Sequence, residues 1–214
     1  AQWCGISFSY WSSTPLAYAH KLYINNELVT NLVIPETITE IKDYAFFECS
    51  GLTSVVIPNS VTSIGEDAFS GCSGLKKVIN FSSLTFSKGS TANGDVAYYA
   101  DTVINAPNGV IEGDFVFAVI DGVNTLCAYI GAGGDVTLPA DYKGENYAIG
   151  ADAFRGCSGL TSVVIPNSVT SIGTWAFSGC SGLKEVHISD LSAWCGISFG
   201  NTPANPLYYA HNLY

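Results

Sequence analysis

Apolar residues recur along this chain in a fixed order. A leucine is followed by a valine and an isoleucine two apart, then a proline, further β-branched residues, and an alanine–phenylalanine pair with a cysteine behind it. Leu52, Val55, Ile57, Pro58, Val61, Ile64, Gly65, Ala68, Phe69 and Cys72 make one such unit. The unit before it supplies Val29, Leu32, Ile34, Pro35, Ile38, Ile41, Ala45, Phe46 and Cys49, so the period is 23 residues. Another copy runs from Leu160 to Cys180. A stretched one contains Val136, Leu138, Pro139, Ile149, Gly150, Ala153, Phe154 and Cys157, with four extra residues between its proline and its isoleucine. A unit this short cannot bury its own apolar face, so the period predicts coils that stack on their neighbours.

Within a coil, Val55 and Ile57 alternate with Ser54 and Val56, which predicts a short strand with one pair inward and the other outward. Pro58 cannot donate a ladder hydrogen bond and ends the strand. Gly65 permits a tight backbone. Ala68, Phe69 and Cys72, three to four apart, predict a single helical turn on the far side. At about 4.8 Å between strands, equivalent side chains pile into columns, Phe on Phe and Cys on Cys.

The pattern fails twice at the same phase: Asn80-Phe81 replaces the expected Ile-Pro, and Ser189 stands where a proline should be. Each failure opens an irregular insert. In the first, Asn108-Gly109 predicts a turn, and Phe115 to Ile120, Asp121-Gly122 and Leu126 to Ile130 read as a β-hairpin. Leu22-Tyr23-Ile24, Asn25-Asn26 and Leu28-Val29 read as another. The predicted architecture is one β-rich α/β solenoid over 1–214, with regular coils at 29–79 and 133–188 and inserts at 1–28, 80–132 and 189–214. A longer recurrence lies over it. Trp3-Cys4-Gly5-Ile6-Ser7-Phe8 returns as Trp194-Cys195-Gly196-Ile197-Ser198-Phe199, and the match continues through Tyr18-Ala19-His20 onto Tyr209-Ala210-His211. With no methionine in the chain, this predicts a piece of a longer repetitive protein whose targeting signals lie outside it.

Composition narrows the classes of function. Charged residues are 12% and hydrophobic residues 48% of the 214, which excludes intrinsic disorder. The formal net charge of −10 opposes binding to phosphate backbones or anionic lipid, so no nucleic-acid partner is expected. No apolar run approaches the roughly 18 residues of a membrane helix, so no membrane insertion is expected either.

The stretch Ser-Val-Val-Ile-Pro-Asn-Ser-Val-Thr-Ser-Ile-Gly-x-x-Ala-Phe-Ser-Gly-Cys, at 54–72 and 162–180, resembles the BspA-type (Treponema-type) bacterial leucine-rich repeat family. The inserts, with Trp-Cys-Gly-Ile-Ser-Phe and Gly-Asp-Phe-Val-Phe (113–117), also resemble segments that accompany these repeats in gut bacteria. The resemblance implies a right-handed leucine-rich solenoid, on a cell surface or secreted, that works by adhesion or protein binding and has no catalytic residues.

Candidate chemistry is sparse. Cys49/Cys72 and Cys157/Cys180 are one coil apart, unlike zinc ligands, and read as buried thiols, with a ladder disulfide as the alternative. A Cys4–His20 pair, repeated as Cys195–His211, can be drawn as a nucleophile and base, but nothing in sequence activates the thiol. Gly131 to Asp135 is a single glycine–aspartate segment and reads as a loop entering a strand. Asn80-Phe81-Ser82 is the one glycosylation sequon. No cofactor or metal site and no enzymatic activity are expected.

The better candidate is the concave face of the coils. There the outward residues Val33, Ser54, Val56, Lys77, Ile79, Val164, Glu185 and His187 line up, with the valines and Ile79 as an exposed apolar stripe. The insert aromatics Trp11, Tyr18, Tyr98, Tyr99, Tyr208 and Tyr209 are a second candidate. The expected function is a non-catalytic surface or secreted module engaging a protein or glycan. The alternative is a structural stalk or spacer, which the near-identity of 49–78 and 157–186 favours.

Overall fold

A computed structural model describes residues 2–214, which divide into two compact units, Ala1–Asn108 and Gly109–Tyr214. Each is a β-solenoid built from coils of the predicted length.

The first unit opens with a short helix α1 (Leu16–Ala19) and the hairpin β1 (Tyr23–Ile24) and β2 (Glu27–Leu28). Asn25 and Asn26 sit in the left-handed region (φ 52° and 67°), as a two-residue hairpin turn requires. The coils then follow as β3 (Asn31–Val33), β4 (Glu40–Ile41), β5 (Ser54–Ile57), β6 (Ser63–Ile64), β7 (Lys77–Asn80) and β8 (Thr102–Asn105). Strands β3, β5, β7 and β8 form one parallel sheet, with Leu32, Val55, Val78 and Val103 in register as its inward column. A second, narrower ladder pairs Ile41 of β4 with Ile64 of β6.

The second unit begins with β9 (Val110–Glu112) and the predicted hairpin, β10 (Phe115–Ile120) and β11 (Val123–Tyr129), turning at Asp121 and Gly122 (φ 51° and 80°). Its coils are β12 (Gly134–Thr137), β13 (Tyr147–Ile149), β14 (Leu160–Ile165), β15 (Val169–Ile172) and β16 (Glu185–Ile188), followed by α2 (Leu191–Gly196), β17 (Ser198–Phe199) and α3 (Leu207–Ala210). Val136, Val163 and Val186 form the inward column of one parallel sheet. Leu126, Ile149, Ile172 and Phe199 form that of the other, so the hairpin strand β11 serves as the first rung of an otherwise regular ladder. The four extra residues of the stretched coil loop out through Lys143 and Gly144, with Gly144 N–H donating to Asp141 Oδ1 at 2.7 Å, and β13 after them pairs with β15 across a register shift between Tyr147 and Ala148.

The predicted columns are present. The Phe46 and Phe69 rings stack with centroids 5.0 Å apart, Phe154 and Phe177 at 4.8 Å, and Tyr129 extends the second column at 5.3 Å from Phe154. Offset aromatic pairs add about 0.5–1.5 kcal/mol each beyond the area they bury. The helical turn expected at Ala68-Phe69 does not form. Tyr44, Asp67, Asp152 and Trp175, each just before an alanine–phenylalanine pair, have φ of 59°, 52°, 58° and 62°, which a right-handed helix forbids. The amides point along the stack instead: Phe46 N–H donates to Ala68 O at 2.7 Å, and Phe154 N–H to Ala176 O at 2.8 Å. Gly65 is required by this closeness, because a Cβ there would lie 2.5 Å from the backbone nitrogen of Asp43.

The seven cysteines are all thiols, with no disulfide among the described residues. The Sγ of Cys72 donates to Phe46 O at 3.1 Å and that of Cys180 to Phe154 O at 3.2 Å, so the motif cysteine joins one coil to the coil before it. Burial raises the Cys49 and Cys127 thiols to about 11 and pushes Cys72 up as well. Asn80, just before the first missing proline, is also buried. Its Nδ2 donates to Asn105 Oδ1 at 2.9 Å, and its Oδ1 accepts from the hydroxyl of Ser82 at 2.6 Å, so the sequon asparagine is consumed in turning the chain.

The expected apolar stripe needs correction. Val33 is 49% exposed, but Val56 retains only 3% and Ile79 none of its surface. Apolar side chains at outward strand positions are still driven out of water wherever chain can cover them, and the repeat pattern alone does not show that cover.

Stability should report this burial and the raised thiols separately. Val56→Glu places a charge in an apolar site and costs about 3 kcal/mol or more, whereas Val33→Glu stays within about 0.5 kcal/mol. Urea midpoints that moved equally for the two would contradict this burial. The raised thiols bind their protons more tightly folded than unfolded, so their stabilisation is complete below the ordinary thiol value of 9.0 and is lost as pH rises towards about 11. Melting temperature should fall across that window, and a Cys49→Ala/Cys127→Ala chain should fall less steeply.

Candidate interaction surface

The outward rows of the two sheets differ in character because four of six equivalent positions carry different residues, and only Ser54/Ser162 and Val56/Val164 match. In the first unit Asn31, Ser54, Lys77 and Thr102 stand in register, and beside them Val33, Val56, Ile79 and Ile104. Ser54 is buried, its hydroxyl donating to Asn31 Oδ1 at 2.8 Å, and Lys77 is half-buried. With Val56 and Ile79 closed, this face offers the exposed Val33 at one edge and the half-buried Ile104 at the other as apolar contacts.

In the second unit the rows are Asp135, Ser162, Glu185 and Thr137, Val164, His187. Asp135 plays the part of Asn31: the hydroxyls of Thr161 and Ser162 donate to its Oδ1 at 2.7 and 2.9 Å. Those two hydrogen bonds, with His187 as a lesser contributor, hold its carboxyl below the usual carboxylate range. Glu185 Oε2 lies 3.0 Å from His187 Nε2, and the His187 ring stacks on Tyr214 at 5.1 Å. Asp135, Thr137 and Tyr214 are exposed, while Val164, Glu185 and His187 are half-buried. The result is a polar strip with one apolar side chain, Val164, at its centre.

Of the eight predicted surface residues, Val164, Glu185 and His187 are thus brought together. Ser54, Val56, Lys77 and Ile79 lie on the more covered first sheet, with Val33 at its edge. The sequence reading misses Asp135, Thr137 and Tyr214. Aligning Val136, Leu138 and Pro139 on Val163, Ile165 and Pro166 puts Asp135 opposite Ser162, but the glycines at 131–134 favour reading Asp135 as part of a loop. Among the insert aromatics, Trp11 lies 5.8 Å from the Phe47 ring, and Tyr98 packs edge-on against Tyr99 at 4.8 Å. The drawn nucleophile–base pair takes two other paths. Cys4 is buried and its thiol pushed up by that burial, and His20 Nδ1 lies 3.2 Å from the carbonyl of Glu48.

Among the described residues no helix is long and apolar enough to cross a membrane. A comparison with curated proteins finds no match. Solved structures similar to the chain include a leucine-rich repeat protein from Bacteroides ovatus ATCC 8483, 30% identical, covering 74% of this chain and 37% of that one with a TM-score of 0.29. This chain therefore spans little more than a third of that protein. A leucine rich cell surface protein from Faecalibacterium prausnitzii A2-165 is 16% identical, covering 81% and 69%, with a TM-score of 0.31. The T. pallidum leucine rich repeat protein is 23% identical, covering 80% and 73%, with a TM-score of 0.30. The profile of the BspA type leucine rich repeat region matches six copies over residues 19–99 and 143–203, more than half of the chain. With the 23-residue coils and their stacked columns, this places the chain in the BspA-type leucine rich repeat family.

Proposed function

We propose that the chain is a non-catalytic binding module of a secreted or cell-surface protein, and that it engages a protein ligand through the outward face of β12, β14 and β16. The observation that carries this reading is the contiguity of Asp135, Thr137, Val164, Glu185 and His187 on adjacent strands in register, with Tyr214 stacked on His187. The strip combines what a protein contact uses: an aromatic, a central aliphatic side chain, and carboxylates already oriented by neighbours. On a chain of net charge −10, the partner that this strip suits is basic. A glycan is the weaker fit, since Tyr214 is the only aromatic platform in it. The reading as a stalk or spacer rests on the near-identity of 49–78 and 157–186 and on the covering of Val56 and Ile79.

The test is binding of the chain to arrays of extracellular-matrix proteins and glycans, beside Val164→Glu and Glu185→Lys variants. A protein ligand should bind, weaken as salt rises, and lose about tenfold or more in affinity to either variant. Binding that both variants retain moves the site elsewhere, and no binding to any array member supports the spacer.

A further inference from the structure

The segment that occurs twice, at 3–23 and 194–214, keeps its internal geometry in both places. Trp3 and Phe8 rings lie 5.8 Å apart, and Trp194 and Phe199 rings 5.5 Å. Each copy carries a one-turn helix, α1 or α3, that begins after a proline and ends on a left-handed histidine (His20, φ 58°; His211, φ 60°). The surroundings are opposite. The first copy serves the coil that follows it: Trp3 Nε1 donates to Ala45 O at 2.7 Å, Cys4 O accepts from Lys42 N–H at 3.2 Å, and His20 O from Gly51 N–H at 3.2 Å. The second serves the coil before it. Gly200 N–H donates to Ile172 O at 2.9 Å, Tyr209 Oη accepts from Gly179 N–H at 2.9 Å, and Tyr214 N–H donates to Val186 O at 2.8 Å.

Burial divides the same way. Cys4 is 4% exposed, while its counterpart Cys195 is exposed. Leu16 is buried and Leu207 only partly so. In the other direction Ile197 and Ala210 are buried, whereas Ile6 and Ala19 are exposed. Tyr18 is 71% exposed, yet its counterpart Tyr209 packs on the core. What one copy hides, the other shows.

We propose that this segment is a two-sided joint. One face, with Ile197, Tyr209 and Ala210, seats on the coil ending at β16. The other, with Cys4 and Leu16, receives the coil beginning at β3. The occupant of each open face is therefore another copy of this chain's own repeat, joined in sequence. The joint hydrogen-bonds to the coil on each side across the irregular insert, so those coils belong to one continuous stack. β17 pairs with β15 on the backward side, and the forward contacts seen in the first copy run through Trp3 Nε1, Cys4 O and His20 O, the groups that a following coil would meet in the second copy.

The test is a tandem chain in which residues 1–214 are followed directly by residues 24–214, with Cys195→Ser in the second copy. In the single chain Cys195 should react with a maleimide at least about tenfold faster than Cys4, since access sets the rate. In the tandem the remaining Cys195 is internal, and its rate should fall about tenfold, to that of Cys4, with Cys72 protected throughout. An internal Cys195 that reacts as fast as in the single chain overturns the proposal. So does a tandem in which Cys72 reacts as fast as Cys195, because a joint that carries the stack forward must let the longer chain fold.

Discussion

On both sides of a coil the backbone finds hydrogen-bond partners one turn away, while the amides between them close local turns. On one side this is the parallel ladder through β5 or β14. On the other, alternate amides such as those of Phe46 and Glu48 donate to Ala68 O and Ser70 O at 2.7 Å. A buried amide without a partner costs about as much as a lost hydrogen bond, so a coil removed from its neighbours forfeits both ladders together. The remaining features follow from that constraint. The phenylalanines stack because their amides are tied in register, and the motif cysteines are small enough to reach the carbonyl of the preceding coil. Gly65 lies against the backbone of Asp43 because the coils are that close.

Much of this is legible in the sequence, because each coil repeats its inward residues faithfully. The 23-residue spacing of Phe46 and Phe69, or of Cys157 and Cys180, states which side chains share a column. The hairpins are legible from Asn25-Asn26 and Asp121-Gly122, whose backbones occupy the left-handed region that such turns need. The helical turn misleads because Ala68, Phe69 and Cys72 have helical spacing, while the decisive feature is the φ of Asp67. That position also takes Tyr44, Asp152 and Trp175, and residues so unlike one another carry no shared signal.

The outward face is harder to read for a related reason. Alternation says which side of a strand a residue occupies, but not whether that side meets water. Val33, Val56 and Ile79 share one row and differ in burial from half-exposed to fully covered. The role of the buried Asn80 is likewise hidden: it looks like a failed isoleucine until its hydrogen bonds to Asn105 and Ser82 are seen. On β12, β14 and β16, charge and exposure coincide instead, and Asp135 and Glu185 are held by hydroxyl and imidazole neighbours rather than left loose. A strip ordered in this way loses less side-chain freedom when a partner arrives.

Native-state hydrogen exchange on Phe69→Ala tests most directly whether coils stand only by their neighbours. The substitution removes one of the two stacked rings of the first unit's column, at a cost of about 3–5 kcal/mol. The amides of Phe46, Val55, Phe69 and Val78, which lie on three successive coils, should lose protection by the same amount. Loss confined to Val55 and Phe69, with Phe46 and Val78 unchanged, would mean that each coil holds its own structure and would contradict the dependence of every coil on the next.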